Sequence, residues 1–543
     1  MRAEWVAICD LANTQPGENM TYTVPTAVDA DVRAWLAEYG AADADAAYLL
    51  VDRHDPTGVA FTTVAPAGAD GLVTTDVTYG ELADRSRRLA CALTRLGVTR
   101  GTRVGVLMGK RTELVVTLLA LARLGAVYIP LFTAFATPAI EMRLRGGDAT
   151  IVITETSQAD KLAPIDGLTT IVAGDTGDRG FDTLLAGAEP LAESVAVGGD
   201  GHLILLFTSG TTGTPKGVPV PVRALASFRT YMRYGLDVSD DDVFWNAADP
   251  GWAYGLYYGI LGPLLVGRPN ILLQAGFSPE VTAKVFGELG VTNFAAAPTV
   301  YRSLSKTPVV DGFTLRRASS AGEPLTPDVI GWAQQALGTE VRDHYGQTEH
   351  GMFINNHWAD ELRTPLIPGS MGRPMPGFVT GIVRDQIAID VPASPAFWFP
   401  GYLDAPEKTA ARYTDDGRWY LTGDTGRVDD DGNFYFSARD DDVIIMAGYR
   451  IGPFDVESVL ITHPAVIDVA VVGRPDEMRG EVLEAFVVLA EGLTGDDALE
   501  AELQQLVKTG FAAHAYPRTV HFVEALPKTP SGKIQRFILR RQG

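Results

Sequence analysis

At 543 residues the chain is too long for one hydrophobic core, and at least two domains are expected. Its 46% hydrophobic and 21% charged residues are ordinary for a globular protein, whereas a formal net charge of −22 excludes a nonspecific nucleic-acid binder, which needs a broad basic surface. Cys9 and Cys91 are too few to staple such a length and form no zinc-like spacing, so a reducing, cytoplasmic setting is expected.

The N-terminal stretch mixes Arg2 with Glu4 and Asp10 and lacks a continuous apolar core, so no secretory signal is read. The pattern then predicts an amphipathic helix over 79–96, a strand over 103–108, a helix over 111–124 and a strand over 127–132. The longest apolar region, 114–131, is interrupted by Arg123 and Gly125 and ends near Pro130, which fits a buried helix and strand better than a membrane span. Strand candidates at 150–154, 203–207 and 293–296 alternate with helical patterns, the layout of an α/β fold with a largely parallel sheet. The acidic cluster 237–242 is expected to be a solvated turn. From Asp415 onward the texture becomes hairpin-like, with strand candidates at 418–421 and 427–436 and a turn signal at Asp431-Gly432. Short polar residues at 440–442 mark a boundary. Residues 1–440 are expected to form a large body of α/β subdomains with a small β-rich part, and 441–543 a small mobile α+β domain with elements at 454–460, 466–472 and 485–489.

Four segments carry chemistry. Residues 206–218 form a hydroxyl- and glycine-rich loop containing Thr208, Ser209, Gly210, Thr211, Thr212 and Lys216; it could wrap a polyphosphate, and its composition equally suits a flexible surface turn. It is no Walker A loop, because Pro215 precedes the lysine and Gly217 follows it. The second segment pairs 319–324, with Gly322, Glu323 and Pro324, and 344–349, with Tyr345, Gly346, Thr348 and Glu349. Small residues there let a flat base lie against backbone, Tyr345 offers a stacking face, Thr348 a hydroxyl and Glu349 a hard oxygen for magnesium. The third runs over 419–424 to Asp424, a carboxylate suited to ribose hydroxyls, with Arg439 downstream. In the fourth, 526–536, prolines and glycine shape a loop that presents Lys533.

All four segments, in this order, resemble the adenylate-forming superfamily of acyl-CoA synthetases, nonribosomal-peptide adenylation domains and luciferases, over about residues 75–543. The runs 444–453 and 249–252 are most similar to the acetyl- and medium-chain acyl-CoA synthetase branch. That resemblance implies an enzyme that activates a carboxylic acid with ATP and Mg2+ through an acyl-adenylate, then transfers the acyl group to CoA. Adenylation with delivery to a carrier protein or partner enzyme, and a non-catalytic nucleotide sensor, are the alternatives. It implies that Thr208, Ser209, Gly210, Thr211, Thr212 and Lys216 hold the β- and γ-phosphates, and that Thr348 and Glu349 meet the α-phosphate and metal. Gly322, Glu323, Pro324 and Tyr345 would then border adenine, Asp424 with Arg439 would bind ribose, and Arg450 would lie near the nucleotide. Lys533 would bridge the attacking carboxylate and the α-phosphate, while a hinge at Asp441 and a strip at Gly448 would serve the thiol step.

The same comparison marks departures. Glu484 and Ala515 stand where relatives commonly carry lysines, which lowers the expected attraction for the polyanionic CoA. A shortened turn is expected at 382–389. Acetate-specific relatives have a bulky tryptophan at the position of Gly346, implying a deeper acid pocket here, with Trp252, Tyr254, Tyr257 and Tyr258 as either its aromatic wall or ordinary core.

Overall fold

The computed structural model describes residues 24–68, 71–208, 215–439, 442–446, 449–476, 480–512, 515–528 and 533–542. Its first large sheet has six strands in the order Thr169–Ala173, Ile151–Glu155, Arg103–Leu107, Val127–Pro130, His202–Thr208, Lys216–Pro221, all parallel except the last. The helix Tyr79–Arg95 that precedes it begins at Thr78, whose hydroxyl accepts the Glu81 N–H at 3.1 Å and satisfies a first-turn donor. Helix Thr112–Leu124 is buried along its length and ends at Gly125, whose left-handed φ of 62° turns the chain into Val127–Pro130. Arg123 belongs in this apolar run because its guanidinium is fully paired. It donates to both carboxylate oxygens of Asp52 at 2.7 and 2.8 Å, to Ser86 Oγ at 2.9 Å and to Ser194 Oγ at 3.1 Å. Among the described residues no helix is long and apolar enough to cross a membrane.

The second large sheet has nine strands and a mainly parallel centre, running from Arg373–Pro374 through Gly351–Asn355, Val341–Gln347, Arg317–Ala321, Asn293–Ala296, Phe244–Asn246, Asn270–Leu273 and Val59–Pro66 to Leu72–Thr78. One buried cluster draws on both large sheets, including Ile204, Val220, Ala295 and Phe353, so the two share a core. The segment 237–242 is a solvated turn only at Asp240 and Asp241. Asp242 is buried, and it and Asp237 grip Arg316, whose Nε lies 2.8 Å from Asp242 Oδ1 and whose NH1 lies 2.6 Å from Asp237 Oδ2. Arg316 enters from far along the sequence, so the cluster is a structural ion-pair network.

A four-stranded antiparallel sheet, Thr380–Val383, Gln386–Asp390, Trp419–Val428 and Phe434–Arg439, follows. Its first hairpin is a two-residue turn in which Arg384 and Asp385 both take positive φ, 53° and 62°, matching the twist of paired strands. Between Arg439 and Ile444 the chain passes into a separate five-stranded sheet built from Tyr449–Ile451, Ile444–Met446, Gly480–Leu489, Val466–Asp476 and Thr519–Phe522. Helices Pro453–Leu460 and Asp497–Gly510 pack on it through Val456, Leu460, Leu503 and Val507, giving this unit its own core. The N-terminus of Pro453–Leu460 abuts Phe434–Arg439: an added Cβ on Gly452 would lie 2.4 Å from Ser437 O.

Candidate active site

The hairpin from Val341–Gln347 into Gly351–Asn355 and the strand Trp419–Val428 bring Tyr345, Gln347, Glu349 and Asp424 together. Asp424 is buried, and its Oδ2 accepts from Tyr345 Oη at 2.6 Å and Gln347 Nε2 at 2.7 Å; Gln347 Nε2 also donates to Thr422 O at 2.9 Å. Among the described residues Oδ1 makes no hydrogen bond, so one carboxylate oxygen is fixed and the other remains for a ligand. Burial pushes the Asp424 pKa up, and the Tyr345 hydrogen bond, Arg439, the Gln347 hydrogen bond and Lys533 oppose it.

Glu349 is also buried. Its Oε1 accepts from Tyr402 Oη at 2.7 Å, and Tyr402 Oη accepts in turn from Arg412 Nε at 3.2 Å. Arg412 NH1 donates to Thr422 O at 3.1 Å. Lys216 opens its strand opposite Thr208, whose Oγ1 lies 3.5 Å from Lys216 O, and places its Nζ 4.8 Å from the centre of the Tyr402 ring. Burial lowers the Lys216 pKa, Arg412 lowers it further, and Glu349 acts in the opposite sense. Thr348 is half-buried and its carbonyl accepts from Tyr257 Oη at 3.1 Å.

Glu349 Oε2 makes no hydrogen bond among the described residues, and the residue before it, Thr348, is half-buried. One carboxylate oxygen and one hydroxyl suit magnesium, which keeps waters and takes most of its ligands from substrate phosphates. No group of three or more His, Cys, Asp or Glu that could cage a metal occurs among the described residues.

Gly322 has φ of 105° and nothing within 4 Å of an added Cβ, an open glycine face at the end of Arg317–Ala321. Glu323 is pinned from behind, its Oε1 accepting from Thr299 N at 3.1 Å and Arg302 NH2 at 2.9 Å, while Pro324 is half-buried. The next residue, Leu325, donates its N–H to Asp343 Oδ2 at 3.4 Å. Asp343 is pushed up to about 8 by burial, so it is largely protonated at neutral pH. Burial holds the adjacent His344 down at about 3, so it is neutral; its Nε2–H donates to Asn356 O at 3.1 Å and its Nδ1 accepts from Tyr231 Oη at 2.7 Å.

Lys533 comes from the small unit, yet the charges acting on it, Arg439, Glu323, Asp424 and Glu349, all lie in the large body. Although the residue as a whole is exposed, its surroundings desolvate the ammonium and hold its pKa below the usual lysine value. Arg439 adds to this, and the three carboxylates oppose it. Ser209, Gly210, Thr211, Thr212, Asp441 and Gly448 lie outside the described residues. Arg450 falls in the strand Tyr449–Ile451, opposite Ile445.

The aromatic candidates divide. Tyr257 and Tyr258 are core: Tyr257 stacks on Phe228 at 4.3 Å, and Tyr258 Oη accepts the Met352 N–H at 2.8 Å. Trp252 is half-buried and forms a trio with Phe132 and Phe135 at 5.2 and 5.6 Å between ring centres. Gly346 is a backbone requirement. An added Cβ would lie 2.2 Å from Gly351 O and 2.6 Å from Met352 Cα, at a register shift in the hairpin, so its identity reports hairpin geometry before it reports acid size. The lysine-deficient positions are structural as well. Glu484 Oε2 is bound by Arg474 Nε at 2.9 Å and His521 Nε2 at 3.0 Å, and Ala515 is fully buried in the core of the small unit.

A model of the AMP-binding enzyme family matches residues 54–394, and one of the AMP-binding enzyme C-terminal domain matches 455–533. The chain belongs to the AMP-binding enzyme family. This AMP-binding enzyme is 36% identical to the acetyl-coenzyme A synthetase of Bacillus subtilis (strain 168) over 91% of its own length and 90% of the relative's. It is 43% identical to the solved acyl-CoA synthetase of Brucella canis, covering 94% and 96% of the two chains with a TM-score of 0.72. These relatives place it among the acyl-CoA synthetases, enzymes of the ligase class. The ATP-bound and apo crystal structures of MatB from Rhodopseudomonas palustris, 28% identical over 92% of this chain and 98% of theirs, give TM-scores of 0.81 and 0.73. The chain thus superposes better on the ATP-bound form of that protein than on its apo form.

Proposed function

We propose that this AMP-binding enzyme is an AMP-forming acid:CoA ligase for an acid larger than acetate, with the domains arranged here for the adenylation step. The observation that carries this reading is that Lys533, a cation from the small unit, lies within electrostatic range of Arg439, Glu323, Asp424 and Glu349 of the large body. A carboxylate and a polyphosphate repel each other, and a cation fixed between them offsets the charge that grows as they meet. Lys216 with Thr208 and the adjoining loop 209–212 would hold the β- and γ-phosphates. Thr348 and Glu349 would face the α-phosphate and its Mg2+, which supplies charge neutralisation there. Asp424 would take a ribose hydroxyl through its open Oδ1, with Arg439 and Arg450 nearby, while Gly322, Glu323, Pro324 and Tyr345 would border adenine.

In the first step a substrate carboxylate oxygen bonds to the α-phosphorus as the bond to the bridging oxygen breaks and pyrophosphate leaves. In the second the CoA thiol, losing its proton, attacks the acyl carbon and AMP departs. A hinge at Asp441 and the strip at Gly448 would serve that second step. The trio of buried Phe132 with half-buried Phe135 and Trp252 supports a bulky or aromatic acid.

ATP–pyrophosphate exchange across an acid series, followed by acyl-CoA formation with added CoA, tests the reading. Lys533→Ala should lower exchange by on the order of 10²- to 10³-fold, the usual cost of one preorganised charge contact, while hydrolysis or thiolysis of supplied acyl-adenylate survives. Exchange within a few-fold of the parent would remove Lys533 from catalysis. Adenylate formed without any CoA product would instead favour delivery to a carrier protein.

A further inference from the structure

Tyr402 joins parts of the cleft that arrive from separate stretches of sequence. It follows Gly401, whose φ of 114° is open to glycine and closed to most residues. Its own N–H donates to Thr409 Oγ1 at 2.9 Å, and the next residue, Leu403, donates its N–H to Gly217 O at 2.8 Å, so the segment is fastened beside Lys216. From this anchored position the hydroxyl donates to Glu349 Oε1 at 2.7 Å and accepts from Arg412 Nε at 3.2 Å, while the ring face receives Lys216 Nζ at 4.8 Å. Arg412 continues through Thr422 O toward Asp424, so one side chain links the phosphate loop's lysine, the metal-facing carboxylate and the ribose strand.

We infer that Tyr402 is a positioning residue that fixes Glu349 through its hydroxyl and Lys216 through its ring face, so that carboxylate and ammonium meet one polyphosphate at a set separation. This rests on the assignment of Glu349 and Lys216 to ATP and magnesium made above. Burial, reinforced by Glu349, raises the phenol's pKa, so the hydroxyl keeps its proton and acts as the donor to the carboxylate. Without that donor Glu349 can rotate in search of other partners, and without the ring Lys216 loses its cation–π seat. The two contacts are separable by substitution, which distinguishes a double positioning role from simple packing.

Calorimetric titration of ATP into the full chain, with and without Mg2+, reads the two contacts without requiring turnover. Tyr402→Phe keeps the ring and removes the hydroxyl: metal-free ATP affinity should stay within about twofold, and the gain on adding Mg2+ should fall roughly tenfold or more, the scale of a lost hydrogen bond to a charged group. Tyr402→Leu should weaken ATP in both conditions. Arg412→Gln, which leaves the phenol in place but removes the bond that orients it, should reproduce the phenylalanine effect in smaller degree. An unchanged magnesium gain in Tyr402→Phe, or equal losses with and without metal, would overturn the inference. A parent that binds MgATP more tightly than ATP but forms no adenylate would defeat the proposed function and leave this test intact.

Discussion

Replacing Glu484 with lysine should damage the small unit without improving its hold on CoA. Glu484 neutralises Arg474 and hydrogen-bonds His521, and the Glu484 and Arg474 side chains are only 19% and 14% exposed. Arg474 also donates to Leu539 O at 3.1 Å and to Arg540 O, anchoring the C-terminal turn that follows Lys533. Glu484→Lys removes the shared acceptor and sets a second cation beside Arg474. Breaking a fully buried pair from one side costs about 3–5 kcal/mol and an exposed one about 0.2–1, so this partly buried site should lose roughly 2–3 kcal/mol. For a unit of this size each kcal/mol is worth about 4–8 °C, so the small unit should melt roughly 10 °C earlier. Scanning calorimetry and proteolysis of the full chain measure this, with the CoA Michaelis constant recorded alongside. A variant that melts within about 2 °C of the parent and saturates at lower CoA would refute the reasoning and make the position a CoA contact.

Two further outcomes follow from burial and backbone geometry. Burial pushes Asp455 up to about 7 against the pull of Arg427, with Glu457 on the same helix reinforcing the rise and the Gly452 N–H opposing it. The raised value means its neutral form fits the junction with Phe434–Arg439, so the stability it adds is complete below the ordinary carboxylate range and is lost as pH rises through about 7. Asp455→Asn should therefore flatten the fall in melting temperature between about pH 5 and pH 8; parallel pH profiles for parent and variant would rule this out. Gly346→Ala should lower stability by about 1–3 kcal/mol, from the clash with Gly351 O, and depress turnover of every acid alike. Selective loss of large acids at unchanged ATP affinity would show that the hairpin yields and that the position faces the acid.

Local order was legible where it depends on neighbours in sequence. The helices now seen at Tyr79–Arg95 and Thr112–Leu124 follow from their apolar spacing, and the two-residue turn at Arg384-Asp385 matches the shortened connection expected at 382–389. Long-range pairing was not legible. The charge of 237–242 suggested solvent throughout because Arg316 is distant in sequence, and the pairing of Glu484 with Arg474 and His521 has no sign in the residues around it. In the cleft, the motifs pointed to Tyr345, Glu349, Asp424 and Lys533, which the fold brings within reach of one another. Tyr402, Arg412, Gln347 and Asp343 were missed. Gln347 lies within the segment 344–349, and the Pro400-Gly401-Tyr402 run was the only local sign of a shaped turn. Separation of the aromatic residues into core and cleft depends on what packs against each side of the helical run 253–261 that follows Trp252, and no short window of sequence contains that.

Asp424 and Arg439 are direct cross-strand partners in the Trp419–Val428 and Phe434–Arg439 ladder, and the chain leaves for the small sheet immediately beyond Arg439. The strand that would feel a ribose is therefore bonded, rung to rung, to the strand that steers the small unit. Such a ladder works as a short lever arm. With Asp424 holding the ribose as proposed, its displacement on nucleotide release would reach the exit strand as a change of angle, with no relay of side chains between them. Under the proposed function the stiffness of this one hairpin would set how faithfully nucleotide occupancy is reported, and Asn433 in its turn would be a place where the timing of the two half-reactions is tuned.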